Sequence, residues 1–398
     1  MSSVPESLRL RREVSPLELF YDLAFVFAVS QLSHHLLEHL TWRGAAETGV
    51  LLVAVFGTWA YTSYEATLLD VHRDVTRWMI VIVMGLGLFM NATIPGAFDD
   101  RAWAFVIPLL AILFFAGAVT ALAGRTDALR EHFRRTLVWM AVSAPLWIIG
   151  AAVGSGPRLW WWAAAALIDL TGTWLAHPLP GRTLSSRQLA FDADHMLERL
   201  RLFFIILLGE TVLTAGRTMS EAPVDVPNVL ATAAVFTALV CLWAAYFGGG
   251  EDVITDSVAN SPDPVRSVRL GVNSAYLVLA ALVALAVGSE LAIAHPTGHG
   301  STSLALLLFG GPALYLATTA WFFGTTAGGA WKERLLAAAV LAATGVVAVW
   351  LPPLASLAVL DLILVVTATV LTRAHRRLTN SLQTTTTDSN AAAAAARR

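Results

Sequence analysis

The sequence predicts an all-α, polytopic helical membrane protein of about twelve transmembrane helices. Three observations predict it. Hydrophobic residues make up 57% of the chain and charged residues 14%, where soluble domains hold roughly 45–50% and about 25%. So few charges cannot cover a soluble surface of this size. Apolar stretches long enough to cross a hydrocarbon core of about 30 Å recur along the chain. The basic residues also cluster in alternate connecting segments, as membrane insertion requires.

The first span, 17–37, carries Glu18 and Asp22 where a cleavable signal peptide needs an uninterrupted apolar core. It is therefore expected to be a retained helix. Spans follow at 46–64, 77–95, 102–123, 135–153 and 158–177, the last opening near the interfacial anchor Trp160–Trp162. The pattern resumes at 199–217, 227–248, 268–294, 302–324, 333–351 and 353–372. Pro352–Pro353 cannot lie within one unbroken helix and marks a hairpin between the last two spans.

The organisation expected is a cytoplasmic N-terminus (1–16), a first six-helix half (17–177), a cytoplasmic connecting loop (178–198), a second half (199–372) and a disordered cytoplasmic tail (373–398). Two halves of six helices enter from the same side, which suits a parallel pseudo-repeat. Its sequence support is Leu19–Phe20 against Leu202–Phe203, an alignment that sets Asp22 against Ile205. An acidic loop, Gly249 to Ser267, joins the eighth and ninth spans.

Charge tests the count. Of 26 Lys and Arg residues, 22 fall in the segments that lie inside if the N-terminus does, and four (Arg43, Arg101, Arg158, Arg217) fall outside. Missing one span would reverse the assignment downstream and spoil that split. A net charge of −2 argues against a nucleic-acid partner. Cys241, the single cysteine, permits no intrachain disulfide. The partner expected is the lipid bilayer, with a proton, cation or small-molecule substrate; oligomeric state is left open.

Acidic residues at membrane depth are costly, so Asp22, Asp169, Glu210, Glu290 and Asp361 are the first candidates for function. Glu210 lies roughly 16–18 Å into its span at 1.5 Å per residue, with Asp169 about as deep. No Lys or Arg lies near mid-span, so these acids are expected to be protonated or to face water, a cation or helix dipoles. Glu18, Asp22 and Ser33 share one face of the first helix. Arg199, Glu210 and Thr214 share a face of the seventh, and Asp169 and Thr173 are one turn apart on the sixth. The candidate proton, cation or substrate site therefore comprises these residues together with His195 and Glu198, and the first, sixth and seventh helices are expected to meet around it. The spacing His195-x-x-Glu198 could place two ligands on one face, but no other His-rich span completes a metal site. No strand precedes the glycines at 85, 87 and 248–250 to make a nucleotide loop. No cofactor is expected.

SPLELFYDLAFVFA from Ser15 to Ala28, followed by Gln31–Leu32, resembles the opening of the bacterial low temperature requirement protein A family. His195-x-x-Glu198-Arg199-x-x-Leu202-Phe203 running on to Gly209–Glu210, and AVGSELAIAHP from Ala286 to Pro296, are further matches. The resemblance implies a multi-pass protein of the bacterial cell membrane, in a family named for growth in the cold. Family members often carry His-x-Pro early in the ninth helix; here Asn273-Ser274-Ala275-Tyr276-Leu277 has neither residue. The function expected is a secondary transporter or ion-coupled carrier using buried carboxylates. The alternatives are a non-transporting scaffold or sensor and an intramembrane lipid enzyme, the latter opposed by the lack of a metal cluster or Ser/His pair at suitable depth.

Overall fold

A computed structural model describes residues 14–69, 73–123, 126–180, 192–248, 263–326 and 329–395. Most of the expected N-terminal segment, 181–191 of the connecting loop and 249–262 of the acidic loop lie outside the described residues. Among those described there are twelve helices and no strand: α1 (Pro16–Glu38), α2 (Trp42–Leu68), α3 (Asp74–Ala92), α4 (Ala102–Ala123), α5 (Asp127–Ala152), α6 (Ser155–Leu175), α7 (Ala193–Glu221), α8 (Val226–Phe247), α9 (Pro264–Ala294), α10 (Thr302–Thr326), α11 (Trp331–Ala348) and α12 (Pro353–Ala395). Each overlays one expected span. Nine are long and apolar enough to cross a membrane, all but α1, α6 and α11. The chain is an all-α polytopic membrane protein.

Local chemistry sets the helix ends. Ser15 caps α1 in a reciprocal box with Glu18, and Pro16 occupies the first turn, where its missing N–H costs nothing. Thr41, Thr126 and Asp225 cap α2, α5 and α8 with side-chain oxygens. The expected hairpin is present, α11 ending at Ala348 and α12 opening at Pro353. Where a disordered tail is expected, α12 runs on to Ala395, through an alanine run of the highest intrinsic helix propensity.

Two compact units form: Met1–Thr211 with Val258–Val283, and Val212–Ser257 with Ala284–Arg398. The first holds α1–α6, α7 as far as Thr211, and α9 as far as Val283. Its core includes Tyr21, Phe25, Phe56, Trp59, Phe105, Trp147 and Trp162. The Arg158 guanidinium is buried there and donates to the carbonyls of Gly150, Ala97, Asp99 and Val153. In the second unit α10 carries a π-helical stretch, Leu306–Gly310. Gly288 of α9 faces it so closely that a Cβ would lie 3.0 Å from the Leu308 backbone nitrogen. Buried Arg334 donates to the Ala245 carbonyl at 2.7 Å and lies over the Phe323 ring. Large apolar side chains such as Phe20, Phe89 and Leu122 face outward, the arrangement lipid favours and water does not.

Candidate functional site

The polar faces of α1 and α7 meet within the first unit. His195 Nε2 donates to Glu18 Oε1 at 2.9 Å, and Arg199 Nη2 donates to Asp22 Oδ1 at 2.8 Å. Arg199 Nη1 is also 3.7 Å from Glu18 Oε1, so the four groups are continuous. None is more than 2% exposed. Both pairs are 177 residues apart in sequence; two helices that keep one separation over successive turns run parallel and in register. Asp22 lies six residues into α1 and Arg199 six residues into α7, which puts acid and base at one depth. The expectation that the buried acids lack partners is therefore corrected for Asp22. Arg199 is remote from Glu210 along its own helix, but it is adjacent to Asp22 on the neighbouring one.

An aromatic shell closes the cluster. Trp59 Nε1 donates to Asp22 Oδ1 at 2.7 Å, and the Arg199 guanidinium lies 5.6 and 5.8 Å from the Tyr21 and Trp59 ring centres. Trp59 stacks on Phe203 with centroids 4.2 Å apart, and Phe56 meets Tyr276 edge-on. Among the described residues, Asp22 Oδ2 and Arg199 Nε keep no hydrogen-bond partner. Glu18 does two jobs with two oxygens: Oε2 accepts from the Ser15 N–H and hydroxyl, and Oε1 faces His195 and Arg199.

The other expected site residues lie elsewhere. Glu198 turns away from His195 and pairs with Arg201 at 3.1 Å, so His195-x-x-Glu198 does not converge on one point. Ser33 is buried with its hydroxyl unpartnered, but it is about 16 Å along α1 from Asp22. Asp169 Oδ2 accepts from Trp147 Nε1 of α5 at 3.0 Å, and Thr173 donates to the Leu170 carbonyl at 2.7 Å. Glu210 is half-buried and makes no hydrogen bond or ion pair among the described residues, while the Thr214 carbonyl accepts from the Thr218 hydroxyl. Thus α1 and α7 share a polar centre, α6 directs its acid to α5, and Glu210 is outside the cluster.

Several polar groups went unnoticed in the sequence. Glu65, 2% exposed on α2, accepts from Thr120 at 3.4 Å and has its other oxygen unpartnered. It lies one residue past the expected end of the second span, in a helix that continues to Leu68. Beside it, α2, α5, α6 and α9 enclose a cavity of about 260 Å³ lined by Tyr61, Tyr64, Arg135, Thr173, Arg269 and Asn273 among others. Tyr61 and His177 hydrogen-bond at 2.6 Å on its wall.

A family described as bacterial low temperature requirement A protein (LtrA) matches residues 13–369. A protein of Rhizobium meliloti (strain 1021), described as uncharacterized, is 31% identical over 310 residues, which cover 76% of this chain and 75% of that protein. No solved structure matches the chain.

Proposed function

The chain belongs to the bacterial low temperature requirement A protein (LtrA) family, and we propose that it is a secondary carrier coupled to a proton or another small cation. One observation supports the reading: four ionisable side chains in a single contact network, shut away from solvent between α1 and α7. Ionisable groups at membrane depth are expensive and mark ion pathways more often than glue. Two carboxylates here face one guanidinium and one imidazole. With the imidazole neutral the cluster holds one excess negative charge. A single proton taken up by the Glu18–His195 pair brings it to zero. The neutral cluster tolerates a dry surrounding, whereas the charged one draws in water or a cation. Proton occupancy would thereby set which arrangement of α1 and α7 is favoured.

In this reading both termini and the Ala193 end of α7 face the cytoplasm, which the distribution of basic residues supports. The closed pairing of Asp22 with Arg199 favours a second reading, a non-transporting scaffold or sensor whose ion pairs only hold α1 to α7.

The test uses the full chain in vesicles containing a trapped pH dye, under a membrane potential set by potassium and valinomycin, with and without sodium. The carrier reading expects protein-dependent proton movement that Glu18→Gln and His195→Gln abolish, although both variants insert. Asp22→Asn should slow it, and Glu210→Gln shows whether the deeper acid takes part. A silent wild type, or variants that move protons as the wild type does, would leave the scaffold reading.

A further inference from the structure

Glu65 is a buried acid that takes no part in the α1–α7 cluster. It lies on α2, a helix long and apolar enough to cross a membrane, and is 2% exposed. A carboxylate so placed needs a base or several donors. Asp22 has such a base, Arg199 at 2.8 Å. Glu65 does not: among the described residues it makes no ion pair, and its Oε2 has no hydrogen-bond partner.

The contact that remains to Glu65 does not serve an ionised carboxylate. Thr120 Oγ1 of α4 is 3.4 Å from Glu65 Oε1, beyond the ~2.5–3.0 Å usual between hydrogen-bonded oxygens. The Thr120 hydroxyl has one hydrogen to give. Two nearer acceptors compete for it, the Ala116 carbonyl at 2.8 Å and the Gly117 carbonyl at 3.0 Å. An ionised Glu65 is thus left almost without a donor, in a place that excludes water. With a proton on Oε1 each hydrogen finds an acceptor. Glu65 donates to Thr120 Oγ1, and Thr120 donates to the Ala116 carbonyl. The carboxyl is then neutral, and Oε2, now a carbonyl oxygen, loses far less by lacking a donor than a charged oxygen does.

We propose that Glu65 is a second proton-binding site of the first unit, occupied at neutral pH, with Thr120 as the acceptor of the bound proton. Its ligand is the proton itself rather than a metal cation. The site is independent of the carrier reading, because its occupancy is an equilibrium property of the folded chain.

The experiment is infrared spectroscopy of the full-length protein in phosphatidylcholine vesicles at neutral pH, taken as a difference between wild type and Glu65→Gln. A protonated carboxyl has a C=O stretch above the amide bands, where an ionised one has none. The wild type should show such a band, shifted down by isotopic labelling of glutamate, and Glu65→Gln should lose it. Glu18→Gln should keep it. Thr120→Val removes the acceptor and should move the band to higher frequency; an unmoved band would overturn the role of Thr120. Replacing sodium by choline in the buffer should change nothing. The labelling shift needs no variant to fold, and Glu65→Asp is a second variant, in which an aspartate band insensitive to the label should take the place of the glutamate one. The proposal is overturned if the wild type has no protonated glutamate band, or if the band survives in Glu65→Gln. It is also overturned if the band appears only when sodium is withdrawn, since a metal cation would then be the occupant. Proton flux plays no part in the readout, so failure here leaves the α1–α7 reading intact, and the converse holds.

Discussion

Asp22 and Arg199 illustrate how much a single buried pair can decide. Each has one atom matched at 2.8 Å and another left without a partner. Removing either partner strands a charge, which costs about 3–5 kcal/mol, whereas replacing both with apolar residues is often close to neutral. Asp22→Asn and Arg199→Met should therefore each lower stability strongly, and the double variant should be markedly less unstable than their sum. Unfolding in detergent, run as a double-mutant cycle, measures the difference; additive losses would mean the two residues act separately. Gly150 supplies a steric counterpart. A Cβ there would collide with Cδ1 of Trp162, whose ring is fully buried. Gly150→Ala should cost about 1–3 kcal/mol by overpacking, visible as a lowered thermal midpoint. The sequence singled out Glu18, Asp22, His195 and Arg199. It did not show that Trp59 would close over the acids, because no spacing along one helix reveals a neighbour on another.

At the scale of the helix, α1 depends on a residue with two obligations. Glu18 completes the Ser15 capping box and also faces His195. Ser15→Ala should cost about 0.5–2 kcal/mol by loss of the cap and leave the α1–α7 pairs in place. Glu18→Gln should preserve most of the cap and remove the charge, and Glu18→Ala should lose both. Comparing the stabilities of the three variants separates helix initiation from ion pairing; equal losses in Glu18→Gln and Glu18→Ala would refute the division. Hydropathy located every helix to within a few residues at most ends. It stopped short on α2, where Tyr64 and Glu65 interrupt the apolar run although the backbone hydrogen bonds continue to Leu68. That shortfall hid Glu65.

For the whole molecule, the charge distribution makes the clearest claim. With 22 of 26 basic residues in alternate segments, tags at the two termini should both be reached from the cytoplasmic side only. A tag reached from outside would invert the topology and with it the direction of any coupled flux. The parallel register of α1 and α7 fits this arrangement, since both helices then enter from one side with Glu18, Asp22, His195 and Arg199 close to that entry.

Composition and apolar run length alone determined the fold class, the number of helices and most of their limits, because a bilayer imposes one span length and forces every backbone group to bond within its own helix. Family membership was also legible in the local motifs around Ser15–Ala28 and His195–Glu210. Tertiary structure alone decided which polar residues meet. Helical projection gives the face of a side chain but not the helix that receives it, so Arg199 could be seen to miss Glu210 without being seen to reach Asp22. The cavity has the same origin: Tyr61, Arg135, His177, Arg269 and Asn273 come from four separate segments, and only packing brings them to one wall.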